Sequence, residues 1–255
     1  MSTENEHIVK AFDADLSRLG KMIAEMGGLA ESQLRDALEA LIHGKPDLAA
    51  KVAMGDARID ALEEVLDAFA VRTLALRQPM AEDLREVIAA LKVASSLERI
   101  GDYAKNMARR ALTLQDVPPI PSCLLTLERL GELVQGMIKD VLDAYLSHDL
   151  DKAMAVRDRD EDVDKLHTSL FRELLTYMME DPRNITFGAH LLFVAKNLER
   201  VGDHVTSIAE QIHFALRGER LVDTRVKQDV SYATVVKPSR RAISAAKKPL
   251  KKKKK

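Results

Sequence analysis

Two acidic pairs stand at matching places in the chain. Glu98 and Asp102 lie within Leu97-Glu-Arg-Ile-Gly-Asp102, and Glu199 and Asp203 lie within Leu198-Glu-Arg-Val-Gly-Asp203, 101 residues later. At i, i+4 spacing both carboxylates of a pair project from one helix face, where like charges cost roughly 0.2–0.5 kcal/mol unless something neutralises them. Asp56 and Asp60 repeat the spacing on the preceding apolar segment, as do Asp160 and Asp164 in the second half. If Gln78-Pro79 is the connection, Asp60 lies 18 residues before it and Glu98 19 after it, while Asp56 and Asp102 lie 22 and 23 away. About Asp181-Pro182, Asp164 and Glu199 each lie 17 residues out, and Asp160 and Asp203 each 21. Antiparallel helices of common rise bring equal counts to equal heights, so each half can gather four carboxylates between two helices. Oxygen donors with no evident interleaved cation suit Mg²⁺, Mn²⁺, Ca²⁺ or iron, with zinc admissible. The competing reading is a solvated acidic face paired with Arg58, Arg99, Arg157 and Arg200. Matched sets in both halves weigh against it, as do Gly101 and Gly202, because a mid-helix Gly costs about 1 kcal/mol against Ala and needs a packing reason.

The elements that must carry these acids follow from apolar spacing. Leu16, Leu19, Ile23, Met26, Leu34, Leu38 and Leu41 mark a first helix that stops at His43-Gly44-Lys45-Pro46. A second runs from about Asp47 to Gln78-Pro79 and a third from about Ala81 to Gln115, after which Asp116-Val-Pro-Pro-Ile-Pro121 breaks the pattern. The plan then repeats, with helices from about Ser122 to Ser147, Asp149 to Glu180 and Asp181-Pro182 to Arg217-Gly218. The fold class is all-α: two tandem antiparallel three-helix bundles related by internal duplication, over residues 6–116 and 121–218. Eleven Gly, eight Pro and no Trp in 255 residues argue against a sandwich or barrel of aromatic-rich short strands.

A net charge of −1 hides an asymmetry, because residues 237–255 hold ten Lys or Arg and no acid, leaving −11 on the rest. The segment 219–255 is expected to be an extended basic tail, fit to touch an anionic membrane surface or the nucleic-acid backbone. Its stretch 237–255 offers no sequence-specific nucleic-acid reading, having neither aromatics nor a fold. An acidic N-terminus and no apolar run near ~18 residues predict neither secretion nor insertion. The single Cys123 excludes an internal disulfide framework and points to a reducing compartment. Its place near a helix start leaves two readings, a lowered thiol pKa or inert packing. Seven scattered His supply no Glu-x-x-His pair, which weighs against the runner-up reading of a ferritin-like carboxylate metalloenzyme that oxidises or stores iron. No phosphate-binding Gly loop, dinucleotide fingerprint or H-E-x-x-H occurs, and no catalytic residue is assigned.

With Arg77-Gln-Pro-Met-Ala-Glu-Asp-Leu-Arg85 opening the third helix, Met179-Glu-Asp-Pro-Arg183 opening the sixth and the two LERxGD motifs, residues 6–218 resemble the PhoU family. The resemblance implies a bacterial negative regulator of phosphate uptake and of the phosphate-starvation regulon, not an enzyme. It implies a cytoplasmic protein working at the inner face of the membrane. Its implied partners are the ATPase subunit of the phosphate ABC transporter, the phosphate sensor histidine kinase and a second copy in a homodimer. It further implies metal clusters on Glu98, Asp102, Glu199 and Asp203, with Asp56, Asp60, Asp160 and Asp164 beside them. Tyr103 in the first motif becomes His204 in the second, so the two sites need not be alike. The basic tail lies outside the family pattern.

Overall fold

The computed structural model describes residues 2–55, 57–221, 229 and 231–234, and its regular structure there is helical throughout. Asp56 and the basic residues 237–255 lie outside the described residues. The first half comprises α1 (Ser2–Ile42), α2 (Pro46–Met54), α3 (Ala57–Arg77) and α4 (Glu82–Leu114). The second comprises α5 (Pro121–Ser147), α6 (Leu150–Asp158), α7 (Asp160–Glu180) and α8 (Ile185–Arg217). The chain is thus two antiparallel bundles, each of three long limbs with the middle limb in two pieces. Proline opens α2 and α5 at their first position, where a missing N–H costs nothing. Gly218 closes α8 at φ +79, its N–H returning to the Phe214 carbonyl at 2.9 Å.

The broken middle limbs correct the expectation of single helices over about 47–78 and 149–180. The Gly55 N–H turns back to the Val52 carbonyl at 3.1 Å, and Gln33 of α1 donates to the Gly55 carbonyl at 3.0 Å. The limb therefore ends there with its carbonyl satisfied from outside. Arg159, 104 residues on, does the same without glycine: its N–H reaches Val156 O at 3.2 Å and its guanidinium bonds Asp140 of α5 at 2.7 Å. The consequence for chemistry is placement. Asp60 falls in the first turn of α3 and Asp160 opens α7, at helix ends whose macrodipole favours negative charge.

The buried stripe of α1 (Leu19, Ile23, Met26, Ala30, Leu34 and Leu38) keeps helical spacing and packs chiefly against α4, while α4 also runs along α8. Arg85 Nε donates to Ala215 O at 3.2 Å near one end of that pair, the Tyr103 and His204 rings meet at 5.8 Å midway, and Arg110 lies 3.3 Å from His190 at the other end. The two helices are therefore antiparallel, crossing at equivalent residues of the two motifs. Between α1 and α5 the fit is reciprocal: Leu142 fills the space beside Gly27, and Leu38 the space beside Gly131. Both glycines, and both leucines, are 104 residues apart. A Cβ at either glycine would press on the leucine that faces it.

Candidate functional site

In the first half, Glu98 and Asp102 of α4 face Asp60 of α3. Burial, and after it the Asp102 charge, raise the Glu98 carboxyl above its ordinary value; Arg99 opposes them, while Glu63 and Asp60 add to the rise. Arg99 spans its own motif, Nε 3.5 Å from Glu98 and Nη1 3.6 Å from Asp102. Glu63 is an acid that the i, i+4 pattern missed. It lies i+3 from Asp60, its own carboxyl raised by burial and by Asp67, and the Ser95 hydroxyl bonds it. The half-site is open: Asp60 is exposed and Asp102 is partly so.

The second half is closed. Asp160, Asp164 and Glu199 are each at most 3% exposed, and Asp203 is half-buried. Gly202 has the close-approach reason anticipated for it, since a Cβ there would stand 3.1 Å from Asp160 Oδ1 and 3.3 Å from Val163 Cγ1. The expectation of no interleaved cation is corrected. Lys196, one turn before Glu199, places Nζ 2.8 Å from Glu199 Oε1 and 3.3 Å from Asp229 Oδ2. Asp229, which follows α8, is also met by the Ser231 N–H at 2.9 Å and the Thr168 hydroxyl at 3.5 Å, and lies 3.4 Å from His167 Nδ1. Burial works to raise the Asp229 carboxyl, but Ser231, His167 and Lys196 outweigh it and hold the pKa at about 2. No motif announced Asp229; Lys196 was readable at i−3 from Glu199.

Carboxylates on facing helices suit a hard cation, and Glu199 Oε2 is buried with no hydrogen-bond partner among the described residues. The second half therefore fits a metal in donor type and burial. Among the described residues, however, no three His, Cys, Asp or Glu side chains surround one point as they stand. An ion would have to draw the acids inward, and Asp56, the fourth acid of the first half, is not described. A cavity of about 550 Å³ between α1, α4 and α5, bordered by Lys21, Glu86, Tyr145 and His148, contains none of the eight acids. Of the two readings of Cys123, inert packing holds: burial pushes its thiol up to about 12, and Glu173 adds to the rise. No described helix is long and apolar enough to cross a membrane.

The family described as PhoU domain matches twice, over residues 23–111 and 127–212. The chain is 52% identical over 225 residues to a phosphate-specific transport system accessory protein PhoU homolog of Caulobacter vibrioides, covering 88% of this chain and 98% of that one. Its counterpart in Zymomonas mobilis is 48% identical over 232 residues, 90% of this chain and 96% of that one. Among solved structures, PhoU from Pseudomonas aeruginosa superposes with a TM-score of 0.79 at 40% identity, covering 82% of this chain and all of that one. The phosphate transport system regulatory protein PhoU from Streptococcus pneumoniae gives 0.77 at 28% identity over 82% of this chain and 99% of that one.

Proposed function

The chain belongs to the PhoU family, and from that premise we propose that it is a negative regulator of phosphate uptake and of the phosphate-starvation regulon. At the coarser level, it is an accessory protein of phosphate-specific transport and not an enzyme, which sets aside the ferritin-like alternative. The observation that carries the reading is the identity of 52% across 98% of a relative bearing that name. Its proposed place is the cytoplasmic face of the membrane, as a homodimer that touches the transporter's ATPase subunit and the sensor histidine kinase. Long helices with short connections give broad rigid faces, which suit docking better than small-molecule chemistry.

Metal binding is part of the proposal. Asp160, Asp164, Glu199 and Asp203 would hold one set of ions, and Asp60, Glu98 and Asp102 with Asp56 the other. Bound cations would supply positive charge that neutralises these acids and fixes the α3–α4 and α7–α8 pairs. The chain's own part is to hold the acids at matched heights and to keep those of the second half from water. Deleting the gene tests the regulatory reading: a phosphate-starvation promoter should fire in phosphate-rich medium, and unchanged expression would refute it. Elemental analysis of protein purified without chelator tests the metal reading separately.

A further inference from the structure

The two halves place different residues at corresponding points of their carboxylate sites. Across the 101-residue repeat of α4 and α8, Ser95 corresponds to Lys196; across the 104-residue repeat of α3 and α7, Glu63 corresponds to His167. In the first half Ser95 and Glu63 bond each other and leave the site acidic. In the second, the residues at those two positions both meet Asp229, beside Thr168 and Ser231. Lys196 Nζ lies between Glu199 and Asp229, so one ammonium serves a buried acid of the site and an acid from beyond the bundle. A buried carboxylate without a counter-charge is costly, and an ammonium within hydrogen-bond reach removes much of that cost.

We propose that Lys196 is the resident cation of the second carboxylate site, held in place by Asp229, and that a divalent ion takes Glu199 there by displacing the Lys196 ammonium. The inference rests on the metal reading above for its second step only; the clamp on Lys196 is a property of the metal-free protein. Its consequence is two unequal sites in one chain. In the first half, with Ser95, an ion on Glu98 and Asp102 meets only the long contacts of the exposed Arg99, at 3.5 and 3.6 Å, whereas in the second it must displace an ammonium 2.8 Å from a buried acid.

Pulse acylation of amines, read by mass spectrometry on the full chain, separates the steps. In chelator-treated protein Lys196 should label more slowly than the exposed Lys51, and Asp229→Asn should speed Lys196 labelling on the order of tenfold by removing one charged partner. Adding Mn²⁺ should speed Lys196 labelling in the wild type. In a Glu98→Gln/Asp102→Asn background, Lys196→Gln should tighten the remaining Mn²⁺ binding by about tenfold. Asp229→Asn keeps the test valid should Lys196→Gln not fold. Labelling of Lys196 at the Lys51 rate, or indifference to Asp229→Asn, overturns the clamp. Mn²⁺ that binds in the second half without exposing Lys196 overturns displacement. If no variant binds Mn²⁺, the metal reading falls and displacement falls with it, while the clamp is decided by Asp229→Asn alone.

Discussion

Gly27→Ala is a one-methyl probe of the contact that joins the halves. A Cβ at position 27 would lie 2.5 and 2.6 Å from the two Leu142 methyls and 3.1 Å from Leu142 Cγ. Rotating one methyl cannot relieve this, because the branch point itself is crowded. Overpacking of that kind costs about 1–3 kcal/mol, while replacing a mid-helix Gly by Ala returns about 1 kcal/mol. The net expectation is a loss of about 1 kcal/mol, or roughly 2–4 °C in a domain of this size. Gly131→Ala should differ in sign. There only Leu38 Cδ1 is close, at 2.7 Å, with the other Leu38 atoms at 3.5 Å or beyond. That leucine can turn aside, and the propensity gain should leave the variant neutral to about 1 kcal/mol more stable. A double-mutant cycle supplies the control: in a Leu142→Ala background, Gly27→Ala should stabilise by about 1 kcal/mol, since the propensity gain is then unopposed. Urea unfolding followed by circular dichroism at constant m-value reads all of these changes. Equal effects of Gly27→Ala in both backgrounds would show that α1 and α5 do not meet at this point.

Four further outcomes follow from single side chains. Ala81 sits at φ 52, ψ −112, a conformation natural only to glycine, so Ala81→Gly should raise the melting temperature, by about 1 kcal/mol of stability in the unfolding free energy. Burial holds the Glu86 carboxyl above the ordinary value of 4.5, with His148 opposing and Asp83 and Glu82 adding. The ionised form therefore weakens the fold above the raised pKa, and the penalty fades as pH falls through it. Glu86→Gln should accordingly melt higher than wild type at pH 8, and the two should converge below 4.5, as thermal scans across pH would test. Cys123 should ignore a thiol reagent in the native protein and react fully once unfolded, a titration that a low-pKa thiol would fail. Asp102→Asn should lower bound metal while raising metal-free stability by a few tenths of a kcal/mol, measured by elemental analysis beside chelator-treated melts.

Helix limits were legible at Pro46, Pro121 and Gly218, where proline or glycine marks them, but not at Gly55, a lone glycine inside a continuing apolar pattern. They were not legible at Arg159, because the residue is a good helix former and the break depends on its bond to Asp140, a contact between segments that periodicity does not register. The acids of α4 and α8 were found because a repeat of 101 residues exposes them. Glu63 joins Asp60 at i+3, outside the i, i+4 spacing that marks the other acids. Lys196 stood in plain view on its helix, but its role depends on Asp229. That residue belongs to no periodic segment, and only the fold brings it beside α7 and α8.

The join between the halves is self-complementary. Gly27 receives Leu142 as Gly131 receives Leu38, and Tyr103 meets its own counterpart His204. Exchanging the halves returns the same contacts, as in an isologous dimer, here with both protomers in one polypeptide. In a dimer of identical chains every substitution appears twice, and a residue beside the dyad must tolerate a copy of itself. Fusion lifts that constraint. Tyr103 could keep its ring while the position facing it became imidazole, and Ser95 could stay a hydroxyl while Lys196 became a charge. Covalent linkage thus lets one member of each matched pair specialise while the other preserves the packing.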